Sequence, residues 1–321
     1  TENISKSKSE NIDYRAKINS ESPPLNTPLM INGLEGRALD RLKNKLTTSD
    51  PKVLPGGKIK KENANPSTLK PGSAVAVQLV RGDVNVSSLG TLTYLQDKKL
   101  LAFGHPFTNK GKVNYLLSKA YINTIIPSRN QPFKLGSPFE KLLGTINSDR
   151  GAGISGKINQ FPHIIPLKVK VVDETRGIEK EVNVQMINDQ SFLTSLGNSV
   201  ALQAIDSTID RIGKGTAEVR VKLLAQGIPG LELTRKNVFY SQNDIAVRAL
   251  SDFSQLLNIV SNNPFKKIDI LDLQLELKIN NQENTALLQE AQVLNETVNP
   301  GDTLEIKVTF HPYRKETFNK I

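Results

Sequence analysis

Three residues with the chemistry for nucleophilic catalysis lie in one half of the chain: His105, Asp149 and Ser155. His105 stands in "KLLAFGHPFTNKG" (99–111), where a strand-like apolar run stops at Gly104 and Pro106 follows the histidine. A histidine between Gly and Pro has a fixed backbone, which a general base needs because geometry precedes pKa in proton transfer. The same residues also describe an imidazole satisfied by neighbouring carbonyls in a tight turn. The second stretch is "NSDRGAGISGKI" (147–158). Gly151, Gly153 and Gly156 allow left-handed or close-approach backbone, as in an oxyanion loop or in a plain glycine-rich bulge. Gly153-Ile154-Ser155-Gly156 has the outline of a nucleophile turn with Asp149 upstream, and His105, Asp149 and Ser155 would run in the chain order of a His-Asp-Ser triad.

Other candidates carry less. His163 in "FPHIIP" and His311 at the end of a strand-like run read as structural. Arg81-Gly82-Asp83 reads as a turn. No P-loop, dinucleotide fingerprint, HExxH or calcium loop is present. With no cysteine and three scattered histidines, neither a thiolate nor a histidine-rich metal site is expected, and no cofactor is implied.

The elements that must position these residues are mostly strands. At 321 residues, 37% hydrophobic and 23% charged, the chain has the composition of a globular protein with room for two or three domains. No apolar run approaches the roughly 18 residues of a membrane-spanning helix. A net charge of +10 is spread evenly, and with no Trp and 5% aromatics the chain offers no stacking platform, so nucleic acid is not an expected partner.

Residues 1–27 read as a flexible polar leader and 28–70 as a helix (Leu34 to about Leu46) followed by a linker. Residues 71–190 read as a β domain bearing His105. Its strands are "AVAVQLV", "LGTLTYL" and "KLLAFG", the segment 114–127, and a hairpin of "IIPLKVKVVD" with "EKEVNVQMI". Residues 191–265 read as a helical and β region. One helix is capped at Ser191 and ends near Gly213 and Gly215; the other is capped at Asn243 or Asp244 and runs to Val260. Residues 266–321 read as a C-terminal sandwich-like β module, with Leu271, Leu273, Leu275, Leu277 and Ile279 on one buried face. The fold expected is β-dominated α+β.

Several segments together resemble the SpoIVB-type serine-peptidase family, in its large-protein branch of bacterial envelopes. They are "PGSAVAVQLVRGDVNVSSLGTLTYLQDKKLLAFGHPFTNKG", "IIPSRNQPFKLGSPFEKLLGTINSDRGAGISGKI", "NVFYSQNDIA" and "NNPF". The resemblance spans about residues 28 to 313. It implies a trypsin-like β-barrel, export to the periplasm or an equivalent envelope compartment, and His105 as the general base. It also implies a protein substrate or an envelope protein partner. The family's Gly-Met-Ser-Gly-Ser-Pro nucleophile motif is not in this sequence. In the branch resembled, that segment precedes text like "TPLMINGLEGRALDRL", so the serine is expected on a missing or separate segment, the latter including the chain's own N-terminal fragment. At Ser155 the family carries a different residue, which argues against Ser155 as nucleophile; Asp149-Arg150 matches a recurrent Asp-Arg. The expectation is a His-bearing portion of a serine endopeptidase, with a non-catalytic envelope binding or assembly subunit as the alternative.

Overall fold

The structure, a computed structural model, describes residues 27–46, 53–56, 69–127, 133–295 and 297–321. The leader, but for Thr27, and most of the 47–71 linker lie outside them. The protein is β-dominated, with one large sheet and a few helices.

At its centre is a closed ring. Strands β3 (Ala74–Gly82), β6 (Gly111–Ile126), β7 (Phe133–Arg150), β8 (Gly153–Ile158), β5 (Lys99–Ala102) and β4 (Asn85–Gln96) pair in that order. β4 then pairs back to β3, and every pairing around the ring is antiparallel. Closure leaves no open edge within the ring. The β4–β5 hairpin turns on two residues, Asp97 and Lys98, both left-handed at φ 48° and 65°, the twist a two-residue hairpin needs.

Register separates the two faces of the ring. Val75, Val77, Leu92, Leu100, Ala102, Tyr115, Leu117, Ile146 and Ile154 follow one another across paired strands, and all are buried. Tyr94 and Leu101 pair on the other face and are exposed, so the first set points inward. Two short strands, β1 (Leu29–Asn32) and β2 (Val53–Pro55), extend the sheet beyond β4.

On its other side β3 pairs with β10 (Ile178–Ile187), which begins a five-stranded layer. The layer continues through β9 (Ile164–Asp173), β13 (Asp269–Asn280) and β11 (Gly215–Gln226) to β12 (Glu232–Ser241). One face of this layer is apolar and packs against α2 (Gln190–Ile209), with α1 (Gly36–Leu46), α3 (Ile245–Ala249) and α4 (Ser251–Ser261) around that helix. The other face is wet. It carries cross-strand ion pairs such as Lys168–Glu181 at 3.1 Å, Lys170–Glu179 at 2.8 Å and Lys222–Glu232 at 3.2 Å. The Arg37 guanidinium joins three helices, donating through Nε to Asp206 at 2.6 Å and also bonding Asp244.

Several local expectations need correction. The N-cap of α2 is Asp189, not Ser191: the carboxylate accepts from Ser191 N at 2.9 Å and sits where the helix dipole favours negative charge. The helix stops at Ile209 through left-handed Asp210, ahead of the glycines. The 245–260 helix is two pieces with a break at Leu250. β13 does not belong with the C-terminal module, because it lies between β11 and β9 in the large sheet. Nor are all its leucines buried. The β11–β13 register shifts at Leu224/Ala225, so Ile270 turns inward at 1% exposure and Leu271 outward at 40%. The C-terminal module is one antiparallel sheet of β14 (Ala286–Val293), β15 (Ile306–Pro312) and β16 (Phe318–Lys320). No second sheet faces it among the described residues, so the expected sandwich is absent there.

Candidate active site

The chain leaves β5 at Ala102 and reaches His105 through Phe103 and Gly104, both left-handed at φ 72° and 76°. For Phe103 this is a costly conformation that only the surroundings can impose. Its amide donates to Thr91 O at 3.0 Å, and its ring occupies the space where Gly90 has no Cβ. A Cβ on Gly90 would lie 2.1 Å from that ring.

His105 is exposed beyond this bend, with its ring 5.6 Å from that of Phe103. Its Nδ1 lies 3.0 Å from Pro106 O. A carbonyl oxygen only accepts, so Nδ1 carries the proton in this contact and the neutral ring keeps its lone pair on Nε2. That tautomer can take a proton from an incoming hydroxyl.

After Pro106 the loop folds into the ring's end around Asp149. The carboxylate is fully buried, on the inward face beside Ile154. Oδ1 accepts from Phe107 N at 2.9 Å; Oδ2 accepts from Thr108 N at 2.5 Å, Thr108 Oγ1 at 2.7 Å and Asn109 N at 3.1 Å. Thr108 spends its only proton on the carboxylate, so it accepts from the Tyr115 hydroxyl at 2.9 Å. Burial pushes that phenol's pKa up, against the Thr108 hydrogen bond, and the nearby Asp189 and Asp149 charges push the same way, so it stays a donor. Phe107 is fully buried in this end and meets Tyr115 edge-on, at 5.8 Å and 84°. Lys110 then leaves the ring to bond Asp189 at 2.7 Å and Ser191 Oγ at 2.8 Å, tying the loop to the start of α2.

The structure therefore brings His105 and Asp149 into one loop system but joins them through backbone. Asp149 has no hydrogen bond to the imidazole among the described residues; it is a positioning residue for residues 107–109. Ser155 does not join them. It pairs with Leu101 on the outward face, while its neighbours Ile154 and Gly156 point inward. The glycines fall into different places. Gly151 is exposed at the β7–β8 turn. A Cβ on Gly156 would meet Thr145 O at 2.1 Å, so that glycine serves strand packing. Gly153, at φ 140°, lies directly against the histidine bend: its Cβ would meet Ala102 O at 2.9 Å and Gly104 N at 3.3 Å. His163 is exposed beside Asn188, and His311 is exposed on β15, both far in sequence from this loop.

Sequence reasoning missed Thr108, Tyr115 and the Lys110–Asp189 link. A Thr-Asn pair just after Pro-Phe and before Gly111 is a turn signal that asks for a side-chain partner. Nothing local names Asp149 as that partner. Among the described residues no group of three or more His, Asp or Glu gathers as a metal site, and no helix is long and apolar enough to cross a membrane.

A closed antiparallel ring with an anchored histidine loop at its end, flanked by a helix-covered layer, is the class of protein that fold and site define. Comparison with known protein families, curated proteins and solved structures finds no match to this chain.

Proposed function

We propose that this chain is the histidine-bearing portion of a SpoIVB-like serine endopeptidase of the bacterial envelope, with the nucleophile serine supplied by a separate segment. On this reading the closed ring is a trypsin-like barrel and His105 is its general base. The observation that carries it is the presentation of His105: exposed, rigidly held, and with Nδ1–H engaged by Pro106 O so that Nε2 is the basic nitrogen. In the reaction, Nε2 would take the proton from the serine hydroxyl as that oxygen attacks the substrate carbonyl carbon, then return it to the leaving amine. The substrate would be a protein in the exported compartment, and no cofactor enters the chemistry.

A second reading is a non-catalytic envelope subunit that binds or assembles protein partners. What favours it is Asp149: its oxygens are committed to the loop, and a carbonyl stands at Nδ1 where a triad places a carboxylate. A fluorophosphonate serine probe separates the two. The peptidase reading expects labelling of an added N-terminal fragment only when this chain is present, and its loss with His105→Ala. Absence of labelling in every combination leaves the binding subunit. Labelling of Ser155 would contradict both readings of that serine's place.

A further inference from the structure

We propose that a second site, the cleft between the histidine loop and the open end of the helix-covered layer, binds an extended, uncharged polypeptide segment through its main chain. The cleft has a volume of about 680 Å³ and is bounded by the loop at Lys110, the first turn of α2, the end of β11, the end of α4 and the approach to β13.

Its chemistry is specific in what it lacks. Each ammonium that lines it is already neutralised: Lys110 by Asp189 at 2.7 Å and Lys267 by Asp269 at 2.7 Å. His163 Nδ1 lies 3.0 Å from Asn188 Nδ2, which donates to it. An anion would compete with these carboxylates for the ammonium groups. Among the described residues no Phe, Tyr or Trp lines the cleft, so a sugar ring finds no broad stacking platform. Other polar groups are the carboxamides of Asn114, Asn188, Gln190 and Gln226; Asn188 spends one N–H on His163 and Asn114 Oδ1 accepts from Thr145 Oγ1 at 3.4 Å, which leaves each with further donor and acceptor capacity. A carboxamide presents the same donor and acceptor as a peptide group, which makes it the matching partner for a main chain.

Two further observations ask for an occupant. Ser261 is 4% exposed, lines the cleft, and its Oγ has no hydrogen-bond partner. Such a hydroxyl is costly unless something answers it. Leu271, turned outward by the β-bulge, gives the lining an apolar contact at 40% exposure. It suits an apolar side chain of an extended segment.

The proposal does not rest on His105 acting as a base. It is tested by fluorescence anisotropy at physiological salt, using a dansylated, N-acetylated, C-amidated peptide pool of roughly ten residues built from Ala, Asn, Leu, Ser, Thr and Val. Saturable binding is expected. It should weaken about tenfold in Asn188→Ala/Gln226→Ala and measurably in Asn114→Ala, whose side chain is exposed. Thr234→Ala/Gln274→Ala, on the wet face of the sheet, should bind as the parent does. His105→Ala should also bind normally, even if it abolishes probe labelling. Absence of saturable binding, equal binding in the cleft variants, loss of binding in His105→Ala, or displacement by inorganic phosphate or maltoheptaose would each overturn the proposal.

Discussion

Thr108 and Asp149 are bound twice over: the Thr108 amide and its hydroxyl both donate to Asp149 Oδ2, at 2.5 and 2.7 Å, inside the end of a closed strand ring. The pair converts a loop into a fixed mount. A buried carboxylate accepting three amides and a hydroxyl leaves residues 107–109 one conformation, and His105 is held between that anchor and the left-handed bend at Phe103–Gly104.

Asp149→Asn should therefore act on the loop before it acts on chemistry. The amide nitrogen cannot accept, so buried N–H groups of 107–109 lose partners, and the expected cost is about 2–4 kcal/mol in urea unfolding. Amide hydrogen exchange should accelerate over 105–110. Unchanged exchange there would mean the anchor is not what fixes the loop.

Thr108→Val removes one charge-assisted bond and strands the Tyr115 hydroxyl while keeping shape. A loss of about 1–3 kcal/mol is expected, and Tyr115→Phe in the same background should cost little more, because the two groups share one chain of bonds. Additive losses in the double-mutant cycle would contradict that chain.

Gly153→Ala should strain the histidine bend. Its φ of 140° disfavours any side chain, and the new Cβ would press on Ala102 O and Gly104 N. A destabilisation of about 1–3 kcal/mol is expected, together with shifted His105 ring resonances in NMR. Ser155→Ala, outward-facing beside Leu101, should stay within about 0.5 kcal/mol of the parent and leave those resonances in place.

Leu271→Ser and Leu275→Ala test the bulge in β13. The first replaces an outward side chain and should change stability by less than about 0.5 kcal/mol; the second opens a cavity in a fully buried row and should cost about 2–5 kcal/mol. Equal losses would mean the alternation runs unbroken from Leu271.

Asp252 supplies a pH dependence. Burial would raise its carboxyl pKa, but Arg235 at 2.5 Å and Asn237 at 3.0 Å outweigh it and the pKa is lowered. A folded-state pKa below the unfolded value of about 3.9 gives stability that is present above that pH and lost as pH falls through the folded pKa. Parent and Asp252→Asn stability curves should therefore converge on acidification below about pH 4. Parallel curves over that range would remove Asp252 from the acid response.

Much of the scaffold is written in the sequence itself. Period-two alternation in "IIPLKVKVVD" and "EKEVNVQMI" specifies a hairpin because a strand with one wet face can pair in only one register. The four-residue spacing of Ala38, Leu42 and Leu46 specifies α1 for the same kind of reason, since one stripe must face the core. The Gly-His-Pro stretch announces a constrained histidine. These signals are local, and each residue's neighbours in the chain carry them.

What only the tertiary structure decided is which distant groups meet. Asp149 and Ser155 look like partners in the sequence, yet strand pairing turns Asp149 inward and Ser155 outward, because a ladder fixes facing directions that spacing alone leaves free. Ring closure depends on β4 returning to β3, and the inward turn of Ile270 on a bulge at Leu271 that shows only against β11, a partner strand more than forty residues away. The sequence by itself determined that His105 would be rigid and that β-strands would hold it. The packing of remote strands determined that Asp149 anchors the loop instead of touching the imidazole, since hydrogen bonds are satisfied by whatever the fold brings within reach.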